Sequence, residues 1–263
     1  MILITGADGF ICSHLVKKFD DVYKIDLHNR NEIFQHDFPW HEVIRVYHMG
    51  ALSSTTEKNV DRIYDLNIRY SIQLFEEAIR HEVPVTYASS ASVYGNSGPY
   101  DLNPLNYYAL SKATVDYWVL DNIDRFSNIV GCRFFNVYGE GEDHKGNQAS
   151  PIHQFTKQAK ETGIIKVFEG SKNFFRDFVY VGDVIDCITM ERPSGIYDVG
   201  TSSPISFLYV ADLVSRKYEA RIETIPFPKH LENKYQWYTC ARKHYNKKFI
   251  NVRNFLELQN GSL

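Results

Sequence analysis

In the stretch NYYALSK (106–112), Tyr108 and Lys112 stand four residues apart. On a helix that spacing puts both side chains on one face, one turn from each other. The chemistry open to the pair is proton abstraction by a phenol that a neighbouring ammonium makes acidic. A tyrosine of pKa ~10 must fall by about 3 units to act near neutrality, roughly 4 kcal/mol. One positive charge at ~4 Å, in an effective dielectric of ~20, supplies energy of that order. Tyrosine and lysine also share this spacing on ordinary amphipathic helices, so the pair needs company to mean anything. YASSASVYG (87–95) offers it: Ser90 closes an apolar run and is able to hydrogen-bond a substrate oxygen, although a serine-rich strand end, taken alone, is more often a turn or helix cap.

A second constellation opens the chain. In GADGFICS (6–13), Gly6 and Gly9 follow an apolar run and precede a helical stripe, the context in which glycine spacing signals a dinucleotide loop. Gly6 permits a tight turn, and Gly9 lets the backbone approach a pyrophosphate at a helix N-terminus, where free N–H groups and the dipole favour an anion. Asp26, 20 residues after Gly6, is where a carboxylate would bond ribose hydroxyls. The third glycine of such loops serves helix–strand packing, and here it is Cys12. A side chain that small is expected to shift the helix slightly without closing the anion site.

These residues need a scaffold, and the patterning supplies one. Strand-type runs occur at 2–5, 22–26, 43–48, 83–89 and 129–135, separated by stretches of helical spacing such as Phe10, Ile11, Leu15, Val16, Phe19 and Ile63, Leu66, Tyr70, Leu74, Ile79. Nearly all-apolar strands alternating with helices imply an α/β fold, a parallel sheet covered on both faces. The polar segment 27–42 reads as a loop or degenerate helix serving as a crossover. Beyond residue 137 the order loosens. A loop is expected over 139–150, helices over 151–161, 184–190 and 207–218, and short strands at 164–168, 177–181 and 195–200. The expected organisation is residues 1–137 as dinucleotide-binding domain and 138–263 as a smaller substrate-binding lobe, partly interleaved with the first.

Composition bounds the function. The chain has 263 residues, 44% hydrophobic and 23% charged, with net charge −3, and no basic tract stands out. Nucleic acid and anionic membranes are therefore not the expected partners. No apolar run reaches the ~20 residues of a membrane helix, and MILITGADGF does not read as a signal peptide. Cys12, Cys132, Cys187 and Cys240 form no C-x-x-C pair, which fits a reducing, cytoplasmic setting. The ten histidines show no zinc spacing, so no metal is expected, and no G-x-S-x-G elbow is present.

With TGADGFICS, SSASVYG, Y-A-L-S-K and RFFNVYG (133–139) in this order, the chain resembles the extended short-chain dehydrogenase/reductase superfamily, a group of Rossmann-type, doubly wound enzymes that mostly act on nucleotide sugars. SSTTE (53–57), EDHKGNQAS (142–150), FEGSKNFFRDFVYVGDV (168–184) and KYQ (234–236) make it similar to the ADP-L-glycero-D-manno-heptose 6-epimerase family within that group. The resemblance implies epimerisation through a transient ketone with bound cofactor. Tyr108 and Lys145 would be the two acid–base groups, and Ser90 would polarise the reacting oxygen. It further implies that Phe10, Ile11, Asp26, Leu27, Met49, Gly50, Ala51, Leu52, Ser53, Asn67, Lys112 and Val137 line the dinucleotide. Asn136, Asn147, Gln154, Phe168, Glu169, Gly170, Ser171, Arg176 and Tyr235 would hold the nucleotide sugar, with Arg176 as a bidentate diphosphate clamp. A homo-oligomer is the family's habit.

The chain also departs from that pattern. Glu140 stands where a proline commonly follows Tyr-Gly, and Gln154 where the family has a histidine. The segment after Asp26 is short, with only His28 and Arg30 as nearby cations for a 2′-phosphate. NADP is what the resemblance implies, whereas Asp26 favours NAD, and the sequence leaves both open. A dehydratase would need an Asp-Glu pair directly after Ser90, where Ala91-Ser92 stand. A related epimerase or keto-reductase with another sugar, and a non-catalytic dinucleotide sensor, are the competing readings.

Overall fold

The structure is a computed structural model; it describes residues 1–50, 52–98, 101–229, 232 and 235–258. In chain order the elements are β1 (Ile2–Thr5), α1 (Phe10–Leu15), β2 (Val22–Ile25), β3 (Arg45–His48), α2 (Val60–Ile63), α3 (Tyr70–Arg80), β4 (Val85–Ser90), α4 (Tyr107–Asp121), β5 (Ile129–Phe134), β6 (Asn136–Tyr138), α5 (Pro151–Thr162), β7 (Ile164–Phe168), β8 (Phe175–Arg176), β9 (Phe178–Tyr180), α6 (Val181–Thr189), β10 (Gly195–Val199), β11 (Ile205–Ser206), α7 (Phe207–Tyr218), β12 (Arg221–Ile225) and α8 (Val252–Leu258). The chain forms two compact units. The first comprises Met1–Val93, Asn106–Phe134 and Ile185–Tyr197; the second comprises Tyr94–Leu105, Phe135–Val184 and Asp198–Leu263.

The first unit is built on a six-stranded sheet of order β10-β5-β4-β3-β1-β2. The pairings β1–β2, β1–β3, β3–β4 and β4–β5 are parallel. This is the expected doubly wound α/β sheet. β1 is wholly buried and β4 nearly so, which is why their sequences run apolar instead of alternating. Leu3, Val46, Val85 and Ile129 of the sheet pack with Leu74, Phe75 and Ala78 of α3 and Val115 and Val119 of α4. Each such side chain contributes about 1.5–3 kcal/mol on burial.

Two details shape the site. The crossover after β2 contains only 3₁₀ turns, at Glu32–Phe34 and Trp40–Glu42. It is anchored because Ile33 and Trp40 are buried and the Trp40 indole donates to the Ile33 carbonyl at 3.0 Å. Between α2 and α3 the helix widens into a π turn, Tyr64–Arg69. The stripe Ile63, Leu66, Tyr70 had suggested one continuous α-helix. The π turn rotates the side chains and carries Asn67 into the interior, fully buried.

The second unit holds three two-stranded sheets: β6–β9 and β7–β12 are parallel and β8–β11 antiparallel. Its core joins Ile152, Phe155 and Ala159 of α5 to Val210, Ala211 and Val214 of α7, with Ile165, Val167, Val252 and Phe255. Ser150 caps α5 by accepting the His153 N–H, Pro151 fills the first turn, and Gly163 at φ 66° ends the helix. Buried aspartates tie the C-terminal coil down. Asp183 holds the Lys247 ammonium and the Ile250 N–H, both at 2.7 Å. Asp198 takes the Arg242 guanidinium and the Tyr94 hydroxyl.

Candidate active site

The sheet order reverses at β1, which pairs with β2 on one side and β3 on the other. In an open α/β sheet, ligands bind beyond the strand ends at such a point. Gly6 leaves β1 there with φ 70°. A Cβ at Gly6 would lie 2.5 Å from the Gly50 Cα, so glycine is required by the approach of the loop after β3 as well as by the turn. Gly9 caps α1 in extended conformation, its N–H bonded to the Gly6 carbonyl at 3.0 Å. A Cβ on Gly9 would meet only that carbonyl oxygen, so a cradle stands open where the first helical turn presents amides that its own carbonyls do not take up. The Asp26 carboxylate receives the Asp8 N–H at 3.0 Å and the Leu27 N–H at 2.7 Å. An open glycine face, a helix N-terminus and an acid at the end of β2 together fit a dinucleotide.

Cys12 answers the question its position raises. It is buried under α1, its thiol directed at the Thr5 carbonyl at 3.6 Å, and burial pushes its pKa up. It fills the helix–strand contact and leaves the face of Gly9 alone. Around the cradle, Phe10 is buried, Ile11 half-buried and Leu27 exposed. Met49 donates to the Thr5 carbonyl at 3.3 Å, joining the loop after β3 to β1. Ala51 lies outside the described residues, and Ser53 is exposed. Leu52 is gripped twice by Asn67, whose carboxamide accepts the Leu52 N–H at 2.8 Å and donates to the Leu52 carbonyl at 3.0 Å. The same amide nitrogen reaches Ser111 Oγ at 3.0 Å, next to Lys112.

Ser90, Tyr108 and Lys112 come together in the first unit. Asn106 caps α4 by accepting the Ala109 N–H at 2.9 Å, which starts the helix so that Tyr108 lies in its first turn. Tyr108 is half-buried and hydrogen-bonded to Ser90, which also receives the Ser92 hydroxyl at 2.9 Å. Lys112 is buried, and its Nζ donates to the Ala88 carbonyl at 2.7 Å. Here the structure corrects the expected electrostatics. Burial raises the Tyr108 pKa, the Ser90 hydrogen bond opposes that rise, and the Asp116 charge adds to it. The ammonium makes no comparable contribution because burial lowers its own pKa to about 8, against the pull of Asp116. Tyr108 is therefore a weaker acid than a free phenol.

Behind these residues lie two polar networks. Asp116, one turn beyond Lys112 on the same face of α4, is fully buried. It accepts Tyr87 Oη and Ser89 Oγ at 2.9 Å each and Arg133 Nε at 2.8 Å. His48 bridges Thr5 Oγ1 at 2.7 Å and Ser71 Oγ at 2.8 Å, and burial followed by the Lys112 charge lowers its pKa to about 3. It is a neutral strut.

In the second unit, Lys145 sits on a 3₁₀ turn, Asp143–Gln148, with Nζ 2.8 Å from the Glu142 carboxylate. Asn147 is exposed, and Gln154 donates to the Gly146 carbonyl at 2.6 Å. Arg176 is buried in β8, stacked 5.1 Å from the Tyr235 ring and 5.4 Å from that of Phe207, and hydrogen-bonded to Tyr235. Asp177 is no ion-pair partner for it. That carboxylate instead accepts the Thr201, Ser202 and Ala241 N–H groups. Among the described residues no carboxylate pairs with Arg176. Phe168, Phe174, Phe227 and Tyr235 form an aromatic cluster beside it. The run ending at Ser171 is closed by the Ser171 Oγ bond to the Phe168 carbonyl at 2.6 Å and by Gly170 at φ 81°, while Glu169 donates to the Ile225 carbonyl at 2.8 Å. Asn136 and Val137 lie half-buried on β6, the Asn136 N–H bonded to the Asp177 carbonyl at 2.9 Å.

The sequence pattern that defines the NAD dependent epimerase/dehydratase family matches residues 2–200. The chain belongs to that family. Among solved structures, it is similar to ADP-L-glycero-D-manno-heptose-6-epimerase from Helicobacter pylori, with 26% identity, 99% of this chain and 94% of that one covered, and a TM-score of 0.84. UDP-glucose 4-epimerase from Thermotoga maritima shares the fold at 20% identity, covering 99% of both chains, with a TM-score of 0.83. A UDP-N-acetylglucosamine 4-epimerase from Methanobrevibacter ruminantium does so at 18% identity, covering 100% of this chain and 98% of that one, with a TM-score of 0.81.

For this member of the epimerase/dehydratase family, sequence reasoning had passed over Asp116 and had given Arg133, His48 and Glu142 no role in the site. Asp116 carries a legible signal, since it continues the i, i+4 series of Tyr108 and Lys112. The other three become meaningful only once their burial is known.

Proposed function

We propose that the protein is a nucleotide-sugar epimerase that inverts C6 of an ADP-activated glycero-manno-heptose. The observation that carries this reading is a Ser90–Tyr108–Lys112 group at the strand ends, in a chain whose motifs around Lys145 and Arg176 resemble the heptose epimerases and 99% of which is covered by its similarity to one of them. Inversion through a ketone requires a proton acceptor on one face of the carbon and a donor on the other. Tyr108 takes one of these roles and Lys145 the other, while Ser90 hydrogen-bonds the reacting oxygen. A dinucleotide with its pyrophosphate at the Gly6–Gly9 cradle would supply reversible hydride acceptance through its nicotinamide. Lys112, already fixed to the Ala88 carbonyl, would hold the cofactor's ribose.

The second unit is the substrate-binding lobe in this reading. Arg176, free of carboxylate partners among the described residues and backed by aromatic rings, receives the diphosphate. NAD is the cofactor favoured by local charge: Asp26 faces the ribose position, and Arg30 is committed to Asp65 at 2.9 Å, leaving His28 as the cation beside a 2′-phosphate. Cysteines that form no disulfide among the described residues suit a cytoplasmic enzyme, and assembly as a homo-oligomer completes the proposal. The serine at position 92 bonds to Ser90, so an elimination acid is missing from the place where a dehydratase carries one.

The test is incubation with ADP-D-glycero-D-manno-heptose, following C6 configuration by proton NMR and the nicotinamide by absorbance. Inversion without net cofactor turnover is the expected result. Net consumption of reduced cofactor, or no conversion, overturns it. Mass measurement of the nucleotide released on denaturation distinguishes NAD from NADP.

A further inference from the structure

The loop that carries Lys145 is folded around a single buried carboxylate. Glu142 is 1% exposed. Its Oε1 accepts the Gly139 N–H at 3.2 Å and the Ser150 hydroxyl at 2.6 Å; its Oε2 accepts the Ser150 N–H at 2.6 Å and Lys145 Nζ at 2.8 Å. A carboxylate taken out of water is costly unless its lone pairs are filled. The three neutral donors close the loop from Gly139 to Ser150, the residue that caps α5. The fourth contact is of another kind. It draws in a cation three residues along the chain, whose own N–H is already bonded to the Glu142 carbonyl at 2.9 Å. Backbone and side chain of Lys145 are thus referred to one residue, while the lysine side chain keeps 22% of its surface exposed.

Resting on the reading of Lys145 as an acid–base group, we propose that Glu142 is its positioning residue: the carboxylate fixes Nζ in the one place from which it donates a proton. In the donating half, an N–H bond of Lys145 breaks as the O–H bond of the inverted hydroxyl forms. The neutral amine left against Glu142 is re-protonated by water through its exposed side. Glu142 itself neither touches the sugar nor exchanges the proton.

Two readouts separate this role from loop building. The first needs no substrate: folded protein is treated with a limiting amine-acylating reagent at fixed pH, and modification of Lys145 is measured by peptide mass spectrometry relative to exposed Lys172. Because an Nζ held against the carboxylate at 2.8 Å is less available to the reagent, Glu142→Gln is expected to raise the Lys145 to Lys172 ratio at least three-fold, and Glu142→Asp, with its shorter side chain, to raise it by less. An unchanged ratio in folded Glu142→Gln overturns the proposal. Should Glu142→Gln not fold, Glu142→Asp alone decides: its shorter side chain draws back from Nζ, so a ratio equal to wild type counts against the proposal and a raised one supports it. The second readout is kinetic, with kcat expected to fall at least ten-fold in Glu142→Gln while KM stays within two-fold. Lys145→Gln runs in parallel. Full activity of that variant would remove the acid–base role of Lys145, whereas the labelling ratio still reports whether Glu142 holds it.

Discussion

Arg133 and Asp116 form an ion pair of 2.8 Å in which the carboxylate is 1% exposed and the guanidinium 9%. The pair joins β5 to α4, and through Tyr87 and Ser89 it also fixes the strand whose Ala88 carbonyl holds Lys112. Breaking it from one side leaves a buried charge without its partner. Asp116→Asn is expected to cost about 3–5 kcal/mol, measured by urea unfolding. With the opposing charge gone, burial should also bring the Lys112 pKa below about 8.

The pH dependence of stability has a sign that His48 sets. Its pKa in the folded chain is lowered to about 3 from an ordinary 6.5, so the unfolded chain binds the extra proton between those values. Stability therefore falls as pH drops through that window, by about 2 kcal/mol at pH 5. Denaturant titrations at pH 7 and pH 5 should show this loss in the wild type. In His48→Asn the loss should be smaller by that amount.

Tyr108→Phe keeps the ring packing and removes the hydroxyl bonded to Ser90. The expected loss in kcat is about 10²–10⁴-fold, with the dinucleotide still bound. Since burial raises the phenol's pKa, the rate of the wild type should climb with pH above neutrality, and Tyr108→Phe should lack that limb. Steady-state epimerisation rates across pH 6–10 provide the measurement.

At Gly6 the expectation is steric. An alanine there must hold φ near 70° and carry a Cβ 2.5 Å from the Gly50 backbone. Gly6→Ala should lose about 1–3 kcal/mol of stability and weaken dinucleotide binding more than ten-fold, read by thermal unfolding and by calorimetric titration with NAD. Intact binding in a folded Gly6→Ala would show that the switch-point contact is dispensable.

Much of this architecture is written in local pattern. Every strand expected in residues 1–135 is present because a doubly covered parallel strand announces itself as an apolar run, and 207–218 forms the expected helix, α7, from its own spacing and the Ser206 cap. The π turn at Tyr64–Arg69 was not legible, since an extra residue per turn barely disturbs a stripe read at 3.6. β12 was missed as well: in RIETI only Ile222 and Ile225 are half-buried while Arg221, Glu223 and Thr224 stay exposed, so no period-2 pattern marks the strand. For the site, types and spacings located Ser90, Tyr108 and Lys112, but their energetics went the other way. Coulomb's law between two side chains can be guessed from spacing, whereas the burial that raises Tyr108 and lowers Lys112 belongs to the whole fold.

The Asn67 carboxamide has a consequence for anyone altering this protein. One side-chain amide holds the Leu52 backbone and the Ser111 hydroxyl together, so the loop after β3 and the helix bearing the phenol share a common fastening. Redesigning that loop to accept a different dinucleotide will move the tyrosine too, and a library that varies one without the other will be searching for two changes at once.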